Sequence, residues 1–119
     1  MRVAVIGGAA AFAELVTLEL GEAGFAVERL RARKSGALHL HEAETALVAG
    51  GTTSRDAAHL VGALRKLRAD LPVVMLTGSR ECERKGYALG ADVVLLKPFE
   101  FGELCAILQR LGRRRATSS

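Results

Sequence analysis

Five short apolar runs recur along the chain, and stretches with helical periodicity separate them. The runs are predicted strands and cover 2–6, 25–30, 45–49, 73–77 and 93–96. In the stretches between and after them, apolar residues return every three or four positions, as on one face of a helix. The predicted helices cover 10–23, 35–43, 57–67, 79–89 and 100–111. This alternation favours an α/β fold in which helices cover both faces of a parallel sheet.

The composition is typical of a single globular domain. The chain has 119 residues, of which 50% are hydrophobic and 25% are charged, and this length suffices for one core. No apolar run approaches the ~20 residues that span a bilayer, and the amino terminus lacks the pattern of a secretory signal. Cys82 and Cys105 form neither a CxxC pair nor a disulfide framework. We therefore expect a cytoplasmic protein that does not contact a membrane.

Positive charge is concentrated at the carboxyl terminus. The formal net charge is +4, and Arg113, Arg114 and Arg115 contribute three of the positive charges. With 4% aromatic residues and no tryptophan, the chain offers no stacking platform for single-stranded nucleic acid. A solvated surface or a linker explains the charge better than a nucleic-acid site does. We therefore divide the chain into a domain over 1–112 and a basic, polar tail or linker over 113–119.

Four of the predicted strands end in small or polar residues. In an open parallel sheet, the binding crevice lies beyond the carboxyl ends of the strands. The residues at these ends are Gly7-Gly8, Gly50-Gly51, Thr77-Gly78 and Lys97-Pro98. We therefore expect the four pairs to converge on one candidate site.

Motifs in the second half of the chain resemble those of the bacterial response-regulator receiver domain. They are Leu76-Thr77, Gly90-Ala91-Asp92, Lys97-Pro98-Phe99 and Glu103-Leu104, and the resemblance extends over essentially the whole chain. It implies a flavodoxin-like, doubly wound sheet of five parallel strands in the order 2-1-3-4-5, with five helices. It also implies a cis peptide bond between Lys97 and Pro98.

The resemblance further implies a site for phosphoryl transfer. A receiver takes a phosphoryl group from a histidine kinase onto an aspartate that ends the third strand. Mg²⁺ is held by that aspartate and by an acidic pair that ends the first strand. A hydroxyl at the end of the fourth strand and a lysine at the end of the fifth contact the phosphoryl oxygens, and an aromatic residue in the fifth strand reports the change. In this sequence the hydroxyl is Thr77 and the lysine is Lys97.

The remaining positions depart from the receiver pattern. The acidic pair falls on Gly7 and Gly8, the acceptor aspartate falls on Gly50 or its neighbour Gly51, and the aromatic residue falls on Val94. Mg²⁺ takes oxygen ligands, commonly from carboxylates, and an acyl phosphate needs a carboxylate nucleophile. Glycine supplies neither from a side chain. The sequence therefore predicts no catalytic residue, no metal, no cofactor and no enzymatic activity.

Two alternatives depend on single side chains. Asp56 is the acid in the loop after the third strand, where it is either a displaced phosphoryl acceptor or, as we favour, a solvated cap that opens the next helix. Lys97 lacks the counter-charge that the family provides, and a half-buried ammonium without one is costly. Lys97 should therefore meet a bound anion or a water cluster, or point outward into solvent. Together with Thr77 it would form a sensor site for a small anion.

These observations indicate a degenerate receiver, or pseudo-receiver, that acts by protein–protein interaction without being phosphorylated. The tail over 113–119 resembles the start of an interdomain linker. We therefore expect the chain to be attached to, or to regulate, a transcriptional output, and to reach DNA only through an output domain that is not part of it.

The resemblance also implies a surface for a protein partner or a homodimer. In the family, this face is made by the fourth helix, the fifth strand and the fifth helix, which here are 79–89, 93–96 and 100–111. Asp92 and Glu103 remain for charged contacts across such a face. Where relatives carry arginines in the last helix, this chain has Ile107 and Gln109, which allows an apolar contact instead.

Overall fold

A computed structural model of the protein describes residues 1–7, 10–30, 43–49 and 54–117. The strands in these ranges are β1 (Arg2–Ile6), β2 (Ala26–Leu30), β3 (Thr45–Ala49), β4 (Val73–Thr77) and β5 (Val93–Leu96). The helices are α1 (Ala10–Glu22), α2 (Ser54–Leu67), α3 (Arg80–Leu89) and α4 (Phe101–Thr117). The fold therefore has the predicted α/β alternation.

The five strands form one sheet in the order β2-β1-β3-β4-β5, and every neighbouring pair is parallel. The predicted order 2-1-3-4-5 is confirmed. All residues of the central strand β3 are buried, as its continuous apolar sequence requires. Because the strands are parallel, their carboxyl ends share one edge of the sheet, and this edge holds the candidate site.

Alternate residues of the strands point to opposite faces of the sheet and form two apolar layers. Helices α2 and α3 cover the first layer, and α1 and α4 cover the second. The first layer includes Ala4, Ile6, Val48 and Met75 of the strands, Leu64 of α2 and Cys82 of α3. The second includes Val5, Leu47 and Leu76 of the strands, Val16 and Leu20 of α1, and Leu104 and Leu108 of α4.

Two helices extend beyond their predicted bounds. Helix α2 begins at Ser54, so Asp56 lies inside its first turn, and the predicted cap role of Asp56 is wrong. An acidic residue is favoured there because the first turn has free N–H groups and the positive end of the helix dipole. Helix α4 continues past Leu111 to Thr117. The small Gly112 packs against Met1, and the arginines that follow are good helix formers.

The other helices differ from the prediction in number and in buried surface. The predicted helix over 35–43 lies outside the described residues except for Ala43, and within them the fold has four helices rather than five. The apolar residues at 12, 15, 16, 18 and 20 predict one buried stripe on α1, but Leu15 and Leu18 are 45% and 59% exposed while Val16 and Leu20 are fully buried. None of the helices in the described ranges is both long enough and apolar enough to cross a lipid bilayer.

Candidate functional site at the carboxyl edge of the sheet

Three predicted site residues lie at the carboxyl edge of the sheet. Gly7 follows β1, Thr77 ends β4, and Lys97 follows β5. Gly8 and Gly50, which the sequence places at the ends of β1 and β3, lie outside the described residues. The geometry of the site is therefore given by Gly7, Thr77, Lys97 and the side chains around them.

Gly7 presents bare backbone where the resemblance places an acidic residue. Its φ of 77° lies in the left-handed region that favours glycine. A Cβ atom at this position would lie 3.1 Å from Cδ1 of Leu60 and 3.2 Å from the carbonyl oxygen of Ala49. The turn after β1 therefore suits a residue without a side chain.

Thr77 is buried, and hydrogen bonds tie it to both neighbouring loops. Its hydroxyl oxygen accepts the N–H of Ser79 at 3.2 Å, and its carbonyl oxygen accepts the N–H of Lys97 at 2.8 Å. Ser79 in turn caps α3, because its side chain accepts the N–H of Cys82. Thr77 therefore links the loop before α3 to the loop before α4.

The ammonium of Lys97 lies over an aromatic ring. Its Nζ is 4.1 Å from the centroid of the Phe12 ring, well within the range of a cation–π interaction. Phe12 belongs to the first turn of α1, so the contact joins α1 to the loop between β5 and α4. Lys97 is also exposed, in agreement with the expectation that it points outward into solvent, whereas the contact with a ring was not among the expectations for this lysine.

Phe12 is a site residue that the sequence pattern did not identify. Its place in the apolar stripe of α1 predicts packing in the core, whereas the structure also places it in an aromatic cluster at the site. The Phe12 and Phe99 ring centroids are 6.4 Å apart, and those of Phe99 and Phe101 are 5.6 Å apart, both in edge-to-face geometry. Its position in the chain could have indicated this role, because the first turn of α1 lies at the same edge of the sheet as Lys97.

Two expectations from the resemblance concern the strand β5 and the loop after it. The Lys97–Pro98 peptide bond is cis, as expected. Val94, on which the resemblance places the family's aromatic residue, is buried in the first apolar layer. Its N–H donates to the hydroxyl oxygen of Tyr87 at 3.1 Å. An aromatic residue therefore does contact position 94, but it comes from α3.

The acids and thiols of the described residues do not form a metal site. In the ranges 1–7, 10–30, 43–49 and 54–117, no three His, Cys, Asp or Glu side chains come together as metal ligands would. Burial raises the pKa of the Cys105 thiol, and the charge of Glu19 raises it further. A raised pKa means less thiolate, so Cys105 is a poor nucleophile at neutral pH.

Asp92, which the sequence offered for contacts with a partner, is engaged inside the domain. Its Oδ2 forms an ion pair with Arg65 and accepts the N–H of Val73 at 2.8 Å. These contacts lie at the amino edge of the sheet, opposite the candidate site. Ile107 is also engaged, since it packs in the second apolar layer at 8% exposure. Of the residues named for a partner contact, Asp92, Glu103 and Gln109 are exposed.

Similar sequences come from transcriptional regulators, although no family model matches the chain. The probable transcriptional regulatory protein SilR of Salmonella typhimurium is 33% identical over 121 residues, which cover 98% of this chain and 53% of SilR. The transcriptional regulatory protein CusR of Escherichia coli is 44% identical over 59 residues, which cover 48% of this chain and 26% of CusR. The chain thus spans about half the length of SilR. The match to CusR covers 26% of the CusR sequence.

Solved structures of response regulators share the fold. The chemotaxis protein CheY4 of Vibrio cholerae has a TM-score of 0.76 at 26% identity, and the match covers 92% of this chain and 97% of that one. A putative response regulator from Chloroflexus aurantiacus has a TM-score of 0.79 at 26% identity, with 94% and 97% covered. A CheY-like receiver domain from Methanospirillum hungatei has a TM-score of 0.81, with 99% and 98% covered, but its 21% identity speaks for the fold alone.

Proposed function

We propose that this chain is a receiver domain of the response-regulator kind and that it acts as a degenerate receiver. Its relatives and its structural neighbours support the first part of this proposal. In this function it is a non-enzymatic module of two-component signalling in the cytoplasm. It controls a protein partner through its surface, without accepting a phosphoryl group and without binding Mg²⁺. The relatives are transcriptional regulators about twice as long as this chain, which supports a link to a transcriptional output domain.

The position of Lys97 is the observation that carries this proposal. In a phosphorylatable receiver, the corresponding lysine needs a carboxylate or a phosphoryl group to balance its charge. Here its ammonium lies against the ring of Phe12, and within the described residues no ion pair includes Lys97. Lys97 is exposed, so water and the face of the ring together accommodate its charge without an acid, and this supports a function without phosphorylation.

The backbone at Gly7 supports the same conclusion. Mg²⁺ demands near-octahedral oxygen ligands and commonly takes them from one or two carboxylates. Gly7 has none to offer, and Leu60 and Ala49 leave little room for a side chain there. The first strand therefore lacks the means to hold a metal at the position where the family holds it.

An anion sensor built on Lys97 and Thr77 is the weaker alternative. Both polar groups already have partners, since Lys97 lies over Phe12 and the Thr77 hydroxyl oxygen accepts the N–H of Ser79. An anion would have to compete with water for the exposed Lys97 and would have to reach the buried Thr77 hydroxyl. The degenerate receiver requires no ligand at this edge of the sheet.

The partner surface is proposed to be the face made by α3, β5 and α4. Glu103 and Gln109 of α4 and Tyr87 of α3 are exposed, and they supply polar and aromatic groups for a contact. The internal ion pair of Asp92 with Arg65 places that acid in the domain's own fold. The contact would then depend on α3 and α4 rather than on Asp92.

The decisive experiment is incubation with acetyl phosphate and Mg²⁺, followed by intact-mass spectrometry and sizing. We expect no gain of a phosphoryl group and an unchanged sizing profile, since the described site offers no carboxylate beside Lys97. A phosphoryl group on an aspartate would contradict the proposal. If that phosphoryl group were absent from the Asp56→Ala variant, Asp56 in the first turn of α2 would be the acceptor. The domain would then be a phospho-switch with a relocated acceptor.

A further inference from the structure

The outer side of β5 is an unpaired sheet edge that one side chain covers. Among the residues that the structure describes, β5 pairs only with β4. An edge strand exposes backbone groups that other strands can pair with, so proteins tend to cover them. The N–H of Val94 is donated to the hydroxyl oxygen of Tyr87 at 3.1 Å, and is therefore satisfied by a side chain from α3.

A close approach of α3 to the sheet makes this hydrogen bond feasible. Gly86, which precedes Tyr87, is buried, and a Cβ atom on it would lie 2.7 Å from Cε of Met75 and 3.3 Å from Cγ2 of Val94. Met75 and Val94 are register partners on β4 and β5. Without a side chain at position 86, the helix backbone settles onto these two residues, and the next side chain reaches the edge of β5.

Tyr87 is only half-buried in this position. The residue is 48% exposed although it is aromatic, so burial of apolar area explains only part of its placement. Its hydroxyl oxygen acts as the acceptor for Val94, which leaves its own O–H free to donate to water. The side chain thus bridges solvent and backbone at the edge of the sheet.

We propose that Tyr87 is a latch that fixes α3 on β5 by accepting the N–H of Val94. Tyr87 is a positioning residue in this account, because it acts through the backbone of β5. The closed latch sets the spacing between α3 and β5 and shields the edge strand from pairing with a strand of another protein. A partner that docks on the face of α3, β5 and α4 therefore meets a helix held in one position.

The latch does not depend on how the carboxyl edge works. It lies on the side of β5 away from β4, and none of its contacts involves Lys97 or Phe12. The proposal therefore stands whether or not the domain accepts a phosphoryl group. Its test is correspondingly separate from incubation with acetyl phosphate.

Backbone amide hydrogen exchange, followed by NMR, tests the latch in the Tyr87→Phe variant. This change removes the hydroxyl and keeps the ring. We expect the Val94 amide to exchange roughly fivefold faster, the effect of losing one neutral hydrogen bond. The amides of the central strand β3 report global stability and serve as the internal reference.

The matched control is Thr17→Val, which removes a hydroxyl that donates to the carbonyl oxygen of Ala13 within α1. It deletes one side-chain hydrogen bond of the same kind on the other face of the sheet, so the exchange of Val94 should match that of the wild type. The latch is overturned if Val94 exchanges at the wild-type rate in Tyr87→Phe. It is equally overturned if Val94 accelerates only as much as the β3 amides.

Discussion

At the scale of single residues, the candidate site replaces an ionic partner with an aromatic one. A lysine over a ring keeps its charge without a counter-ion, because the negative face of the ring attracts it. Phe12 can supply that face because it lies in the first turn of α1, close to where β5 ends. Phe99 packs edge-to-face against Phe12. The contact therefore depends on α1 and on the loop before α4 together.

Replacement of Phe12 tests this contact directly. In Phe12→Leu, we expect the ε-methylene protons of Lys97 to lose the ring-current shift that a ring 4.1 Å from Nζ imposes. A double-mutant cycle with Lys97→Met should give a coupling of about 0.5–1 kcal/mol in urea unfolding, the range for an exposed cation–π pair. Phe12→Tyr is the control, since it keeps a ring and should keep the shift. A coupling near zero, or an unchanged shift in Phe12→Leu, would show that the two residues do not interact in solution.

The same residues show how far the sequence leads. Thr77 and Lys97 could be placed because they end apolar runs, and parallel strands bring those ends to one edge. Phe12 could not be placed at the site, because helical periodicity indicates which face of a helix is apolar. It does not indicate whether a ring on that helix lies next to a charged group. The ion pair of Asp92 could not be predicted for a related reason. Its partner Arg65 is 27 positions away in the chain, and nothing in either local pattern announces the pair.

At the scale of elements, Arg65 joins several loops at the amino edge of the sheet. Arg65 of α2 donates from Nε to the carbonyl oxygen of Gly90 at 2.7 Å and from one terminal nitrogen to that of Ala69 at 3.0 Å. The same nitrogen reaches the carbonyl oxygen of Leu71, and the other terminal nitrogen pairs with Asp92. The guanidinium therefore joins the end of α2 to the loop before β4 and to the turn between α3 and β5.

Loss of this arginine should be costly. Arg65→Met leaves the carbonyls and the carboxylate without their donor, and we expect the free energy of unfolding in urea to fall by about 2–3 kcal/mol. Lys85→Met is the matched control, because Lys85 forms an ion pair with Glu81 at 3.5 Å in which both side chains are more than half exposed. Its effect should stay within about 0.5 kcal/mol. Equal effects of the two changes would remove the special role of Arg65.

Strands were predicted more closely than helix ends. The five strands lie where the sequence predicted them. Four of them, β1, β3, β4 and β5, are largely buried, and a strand buried on both faces requires a nearly continuous apolar run, whereas the edge strand β2 is mostly exposed. The ends of α2 and α4 were not predicted, because polar residues such as Ser54 and Asp56 suit a loop and a first helical turn equally well. Where α4 continues past Leu111, Gly112 packs against Met1, which is a contact between the two ends of the domain.

At the scale of the whole molecule, the sheet divides the core into two layers that share its strands. Neighbouring residues of β3 belong to different layers, with Leu47 in the layer under α1 and α4 and Val48 in the layer under α2 and α3. Damage to one layer must therefore disturb the strands that support the other. Cooperative unfolding of the whole domain follows from this construction.

Tyr87 offers a probe for that cooperativity, since it is the only tyrosine and the chain has no tryptophan. Its fluorescence reports on α3, while far-ultraviolet circular dichroism reports on all helices. In Leu47→Ala we expect the free energy of unfolding to drop by about 2–5 kcal/mol and both probes to shift together, although Leu47 and α3 lie on opposite faces. A shift of the dichroism without the fluorescence would mean that the layers unfold separately.

The backbone at Gly7 bears on how an acidic residue could be acquired at this position. One base change can turn a glycine codon into an aspartate codon, so the substitution is easy at the level of the gene. At a φ of 77°, with Leu60 and the Ala49 carbonyl close by, the new side chain would strain the turn after β1 and crowd α2. A lineage that gained a carboxylate here would therefore have to change the turn and the neighbouring helix as well, and a single mutation would not suffice.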